Sequence, residues 1–216
     1  MLAGCDALGK VGAGSHNPPA NQYTVSGRVT AVDISGGGGS VNVTATSRSN
    51  VSVSQQASYS GTAPTATHTL SGTTLTLSYS CPTELVCSLS YDVQVPRGVA
   101  VSVSTAAGAV TLTSLSGAVS ARADAGLITA VDLSSPTASF TSNAGGVVAT
   151  FSAAPRTLTA NTNVGPITLT LPGTASYKVH THTVLGTSSV TVPENGSAAH
   201  SISASSDVGT ISIDPA

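Results

Sequence analysis

LTANTNVGPITLTL, residues 158–171, alternates apolar and polar side chains on both sides of a single glycine. A period of two marks a strand with one buried face. Leu158 and Ala160 share the inward side before Gly165, and Ile167, Leu169 and Leu171 share it afterwards. Five other octets align with residues 158–165 without a gap: VSVSTAAG (101–108), VSARADAG (119–126), ASFTSNAG (138–145), VHTHTVLG (179–186) and ISASSDVG (202–209). Each ends in glycine, at Gly108, Gly126, Gly145, Gly165, Gly186 and Gly209. First positions are aliphatic (Val101, Val119, Ala138, Leu158, Val179, Ile202), and third positions are mostly small or apolar. The seventh is Ala, Val or Leu throughout.

Two residues past each glycine stands Val110, Ile128, Val147, Ile167 or Ile211; the fifth copy departs, with Ser188 there. The glycines lie 18, 19, 20, 21 and 23 residues apart. A fixed strand–Gly–strand unit with a return loop of variable length accounts for that drift, because loops tolerate insertion and strand register does not. The fold class this predicts is all-β, a parallel β-helix or β-solenoid with rungs of about 20 residues, in which stacking buries what one rung cannot bury alone. Crossover chirality makes the expected coil right-handed. The glycines suit a corner that needs positive φ or close backbone approach. Two residues before four of them stand Asp124, Asn143, Asn163 and Asp207, a turn chemistry that would stack into a polar ladder along one edge. A β-sandwich is the alternative fold, since regular short strands suit it too. It does not call for glycine at one register six times.

Residues 96–216 hold the regular repeats and residues 22–95 repeat less cleanly, so the latter read as first rungs and an irregular cap of the same domain, 22–216. GGSVNVTA and SNVSVSQQ echo the repeat there, THTLSGTTLTLSY reads as a hairpin around Ser71–Gly72, and ISGGGGS reads as a flexible turn. Residues 1–21 carry no apolar period after Cys5 and read as a tether.

Composition fits a thin interior. Of 216 residues 7% are charged and 3% aromatic, with no Trp. The core must come from small aliphatics used many times over. Seven Lys and Arg are scattered along the chain, and the formal net charge is −2. The clustered basic face that nucleic-acid binding requires is not visible. No run of apolar residues is long enough for a transmembrane helix.

Cys81 and Cys87, in CPTELVC, are spaced more widely than the common C-x-x-C zinc and redox pairs, and are expected to form a disulfide in an oxidising compartment. LAGC, ending at Cys5, matches a bacterial lipobox over its four positions, without the preceding charged and apolar regions of a signal peptide. Cys5 is therefore the expected lipidation site, which places the domain outside the cytoplasm, with the membrane reached only through the anchor.

With these residues in view, the chain resembles the bacterial putative-adhesin domains of unknown function, including the head domain named for its Gly-Ile-Asn (GIN) motif. The likeness spans roughly residues 22–216. It rests on YDVQVPRGVAVSV (91–103) leading into the repeats, and on LPGTASYKV (171–179) and VGTISI (208–213). It implies a β-helical surface domain.

Enzymatic chemistry on such a scaffold needs acids or bases converging on one face. Asp124 and Asp207, the repeat-phased acids, are several repeats apart in sequence and read as turn residues. Arg122 is expected to pair locally with Asp124. His180 and His182 share one strand face and could contribute two metal ligands, but a third is needed, so exposure without a metal is the expectation. T-x-T pairs at Thr111/Thr113, Thr157/Thr159, Thr168/Thr170 and Thr181/Thr183 suggest ice-binding ladders, but the last pair precedes its glycine while Thr168/Thr170 follow theirs. No cofactor is expected. The reading is a non-enzymatic, lipid-anchored scaffold facing a cell-wall polymer, polysaccharide or protein partner. A carbohydrate-active β-helix enzyme and a structural or signalling module beside a membrane protein are the alternatives.

Overall fold

The computed structural model describes residues 15–82 and 86–216; Cys5 and Glu84 lie outside them. All regular structure among the described residues is strand. The strands are β1 (Asn21–Val25), β2 (Ala31–Gly38), β3 (Val41–Thr46), β4 (Val51–Tyr59), β5 (Thr65–Ser71), β6 (Thr74–Ser80), β7 (Cys87–Pro96), β8 (Ala100–Ala107), β9 (Val110–Thr113), β10 (Val119–Ala125), β11 (Ile128–Leu133), β12 (Thr137–Ala144), β13 (Val147–Phe151), β14 (Thr157–Val164), β15 (Ile167–Leu171), β16 (Tyr177–Leu185), β17 (Ser188–Val190), β18 (His200–Val208) and β19 (Ile211–Pro215). They form two open mixed sheets. One has ten strands, ordered β1-β4-β7-β3-β9-β11-β13-β15-β19-β17, and the other nine, ordered β16-β18-β14-β12-β10-β8-β2-β6-β5.

From β8 onward the chain alternates between the sheets, with one strand of each unit in each. The octets pair in parallel and in one register. Val101, Val119, Ala138, Leu158, Ile202 and Val179 form one lateral row. Val110, Ile128, Val147, Ile167, Ile211 and Ser188 form its counterpart on the other sheet. Every member except Val179 and Ser188 is buried. Thus the period-two pattern becomes rows of aliphatics stacked along a narrow core.

Spatial order departs from sequence order at one place. The sixth copy, β18–β19, lies between the fourth and the fifth, and β16 and β17 end the two sheets. The departures of the fifth copy suit that place. Thr181 and Ser188 stand where other copies carry apolar residues or alanine, and no further strand covers them.

The hairpin is present as β5–β6, with Gly72 at φ +59° in its turn. ISGGGGS is not a flexible turn. Its residues 34–38 belong to β2, which pairs with β8 in the register Val32–Val101 and Ile34–Val103. Gly39 thereby stands beside Gly108, and β2–β3 forms one more unit of the repeat. SNVSVSQQ is not a unit of the repeat: β4 runs antiparallel to both β1 and β7. Cys81 and Cys87 are bonded, with their Cα atoms 5.9 Å apart.

Tyr91 fills the core beneath β3 and β7 with 1% of its surface exposed, and its ring lies 6.3 Å from that of Tyr79. Its hydroxyl has no hydrogen-bond partner among the described residues. Burial, and then the neighbouring Tyr23 and Tyr79, push its pKa far above the ordinary tyrosine value. A buried polar atom left unpaired costs about 1–3 kcal/mol. Tyr91→Phe removes that atom and keeps the ring. It is expected to raise the denaturant midpoint by an equivalent of about 1–3 kcal/mol, with unchanged slope. A lower midpoint would mean that the hydroxyl is paired in solution.

Candidate binding face

The corners set the spacing of everything displayed on the two sheets. A Cβ at Gly108 would fall 2.0 Å from the Gly39 carbonyl oxygen, one at Gly126 2.1 Å from that of Gly108, and one at Gly145 2.2 Å from that of Gly126. Gly165, Gly209 and Gly186 continue the series at 1.9, 2.2 and 1.9 Å from the corners before them. Each corner therefore rests on bare backbone of the next. Their amides form a second series: Gly108 N donates to Ala125 O, Gly126 N to Ala144 O, Gly145 N to Val164 O and Gly165 N to Val208 O, each at 2.9 Å.

The fifth octet position supplies hydroxyls to these corners, a role that the sequence reading missed. Thr105, Ser142, Thr162 and Ser206 are buried there. Ser142 Oγ donates to Gly126 O (2.9 Å), while Thr162 Oγ1 (2.9 Å) and Ser206 Oγ (3.0 Å) both donate to Gly165 O. The signal was available: Ser or Thr fills five of the six fifth positions, on the inward phase of the alternation. Asp124, Asn143, Asn163 and Asp207, at the sixth position, stand on four adjacent strands and point outward. Asn143 Nδ2 donates to Asp124 Oδ1 at 2.9 Å, and Arg122 Nη2 pairs with the same oxygen at 2.9 Å.

Carboxylates stand apart on this scaffold. Asp124 and Asp207 are three strand spacings from each other, about 14 Å, beyond the roughly 5–9.5 Å that glycoside hydrolysis uses. The grooves around Asp33, Asp92 and Glu194 hold one carboxylate each. His180 and His182 are exposed on β16, beside Ser203 and Ser205 of β18. Among the described residues no set of three His, Cys, Asp or Glu side chains could hold a metal ion. Lys178, His180 and Glu194 border a shallow groove of about 230 Å³.

One regular display is the outer face of the ten-stranded sheet. One row runs Asp92, Asn42, Thr111, Thr129, Val148, Thr168, Ser212 across adjacent strands. A parallel row runs Gln94, Thr44, Thr113, Val131, and then Thr150, Thr170, Asp214 beyond an irregularity in β11. That irregularity carries Asp132 at φ +55°, whose amide donates to Thr150 Oγ1 (3.0 Å) and whose carboxylate accepts from Ser114 Oγ (3.0 Å). The T-x-T pairs of β9 and β15 thus share this face, while Thr157/Thr159 and Thr181/Thr183 belong to the other sheet. At the far end Ser212 Oγ and Thr191 Oγ1 donate to the Asp214 carboxylate (2.6 and 2.8 Å) and hold its pKa below the ordinary value. The arrangement offers a long, nearly uncharged strip of hydroxyl and amide groups at strand spacing.

No family model and no curated protein matches this sequence. Two solved structures are similar to the chain. One is a putative cell adhesion protein from Clostridium sporogenes, 12% identical, with a TM-score of 0.46 over 91% of this chain and 100% of that one. The other is a putative adhesin from Bacteroides fragilis, 13% identical, with a TM-score of 0.45 over 91% of this chain and 97% of that one. Identities this low establish no residue correspondences.

Proposed function

We propose that the protein is a non-enzymatic, lipid-anchored extracytoplasmic β-solenoid whose ten-stranded sheet displays a Thr-rich face to an extended polar partner, a cell-wall polysaccharide foremost. The observation that carries this reading is the pair of rows from Asn42 to Ser212, in register throughout, and from Thr44 to Asp214, broken once at β11. Hydroxyls repeated at the strand spacing of about 4.8 Å can engage a polymer that is itself a repeat of hydroxyls. Alternation of the chain between the sheets and the stacking of bare glycine corners support the solenoid. Residues 22–216 would form one domain, with β2–β3 a full rung inside the 22–95 cap, and residues 1–21 would tether it to the membrane through Cys5. The Cys81–Cys87 bond supports an oxidising compartment.

Co-sedimentation with purified cell-wall sacculi and with insoluble glucans is the direct test. Binding should saturate, and the double variant Thr113→Lys/Thr168→Lys should weaken it at least about tenfold, since two long charged chains would stand in the strip. Unchanged binding by that variant would remove this face from consideration. Mass spectrometry of the full precursor made in its native host should show a lipid on Cys5, and an unmodified thiol there would sink the anchor.

A further inference from the structure

The two sheets end differently at their two ends. One end is closed by the β5–β6 hairpin on one sheet and by antiparallel β1, β4 and β7 on the other. At the opposite end stand β16 and β17, both parallel to their neighbours. Solenoids are kept soluble by capping such ends, and an open strand edge is a template for pairing.

Little guards the edge of β16. Tyr177 N donates to Pro193 O (2.9 Å) and Asn195 N donates to Tyr177 O (2.8 Å), which covers the first residue of the strand. Alternate residues of a strand direct both backbone groups to the same side. Val179, Thr181 and Thr183 therefore aim their N–H and C=O groups away from β18, and these have no partner among the described residues, whereas Leu185 O accepts from Gly209 N (2.9 Å). The same end exposes apolar surface: Val184 and Leu185 are each 65% exposed, and Val179 and Val190 are only half-buried.

We propose that this end is a self-association surface on which a second copy of the chain docks, β16 running antiparallel to β16 about a twofold axis normal to the sheets. The hydrogen-bond arithmetic favours a second copy. Hydrogen-bonded residues of an antiparallel pair exchange two bonds. When Thr181 faces Thr181 of the partner subunit and Val179 faces Thr183 of the partner subunit, every free backbone group from 179 to 183 is paired. A slip of two residues leaves Val179 or Thr183 of each copy unpaired. The same axis sets β17 beside its own copy, so both sheets continue across the junction. No proline or acid lies between Tyr177 and Leu185, and Lys178 falls outside the paired span, so the axis brings no Lys or carboxylate against its like. A nine-residue strand and two sheets with their outer side chains give an end face of about 30 Å by 20 Å, or about 600 Å² per copy, near the lower limit of specific interfaces. The association should accordingly be weak, with Kd in the micromolar range.

In this register His180 faces His182 of the partner subunit as a close, non-hydrogen-bonded pair. The test uses the full chain carrying Cys5→Ser. Sedimentation equilibrium up to about 200 µM should show a monomer–dimer equilibrium. Thr181→Pro removes a donor aimed only at the partner and should weaken association at least about tenfold, with circular dichroism and melting reporting that the fold is kept. Under mild oxidation a mixture of His180→Cys and His182→Cys chains should cross-link to each other far more than either variant cross-links to itself. A monomer at every concentration overturns the proposal. So does a dimer indifferent to Thr181→Pro in a folded variant, or a mixture of the two cysteine variants that cross-links no more than either alone.

Discussion

Gly165→Ala is expected to remove most of the stability of the protein. The added Cβ would lie 1.9 Å from the carbonyl oxygen of Gly145 and 2.4 Å from its carbon. The obstacle is backbone, with no flexible side chain to swing aside. Nor can the Gly145 corner retreat freely, because its own amide is bonded to Val164 O at 2.9 Å. Gly165 O is in turn the acceptor for Thr162 and Ser206, so moving Gly165 breaks buried hydrogen bonds on its other side. Its φ of +148° adds backbone strain for any L side chain. Relief requires the stacked units to part. The expected cost exceeds about 4 kcal/mol, against a total of about 5–15 kcal/mol for a folded protein. Gly196→Ala is the matched control. A Cβ there meets nothing within 4 Å, and the change should stay within about 0.5 kcal/mol. Denaturant midpoints of the two variants measure the difference. A loss below about 1 kcal/mol at Gly165 would show that the corner can open, and would weaken the case for glycine as the element that fixes the repeat.

These corners also mark where the sequence was legible. A glycine that must be bare leaves a fixed point every 18–23 residues, and an inward face leaves alternating aliphatics around it. Both are properties of one unit and can be read from one unit. Lateral order is not such a property. Copies five and six satisfy nearly the same pattern, and their exchange in space follows from which of them has a neighbour on each side. The trace it left was chemical: Thr181 and Ser188 stand where a covered unit carries apolar side chains or alanine. β2 escaped for another reason. Gly36, Gly37 and Gly38 show no alternation, because they have no side chains to alternate, yet they occupy strand positions beside Thr105 and Ala107. Tyr79 occupies part of the space their side chains would take, as a Cβ at Gly36 would fall 2.7 Å from its ring. The candidate face was half visible. Its T-x-T pairs could be found, but their sheet membership depends on which side of the glycine each pair lies. Val148 and Val131 join the rows only once register is known.

Phe140→Ala tests the interior that supports this face. Phe140 is fully buried and stands in register between Ala121 on β10 and Ala160 on β14. One large ring thus fills the width of the core where its lateral neighbours leave room. Truncation would put four alanines in a row, Ala204 of β18 being the fourth, and leave a void that flanking backbone, held by ladder hydrogen bonds on both sides, cannot collapse to fill. The expected loss is about 3–5 kcal/mol, roughly a 10 °C fall in Tm for a domain of this size. Phe140→Leu, which retains most of the volume, should cost about 1 kcal/mol. The cause can be separated from a general weakening of the strand. Ala121→Leu alone should overpack against the ring and cost about 1–3 kcal/mol. In the Phe140→Ala background the same leucine enters the space vacated by the ring and should recover part of the loss, giving a coupling of more than about 0.5 kcal/mol. Strict additivity of the two changes would mean that the side chains share no cavity, and that the ring of Phe140 among its alanine neighbours does not set the thickness of the core.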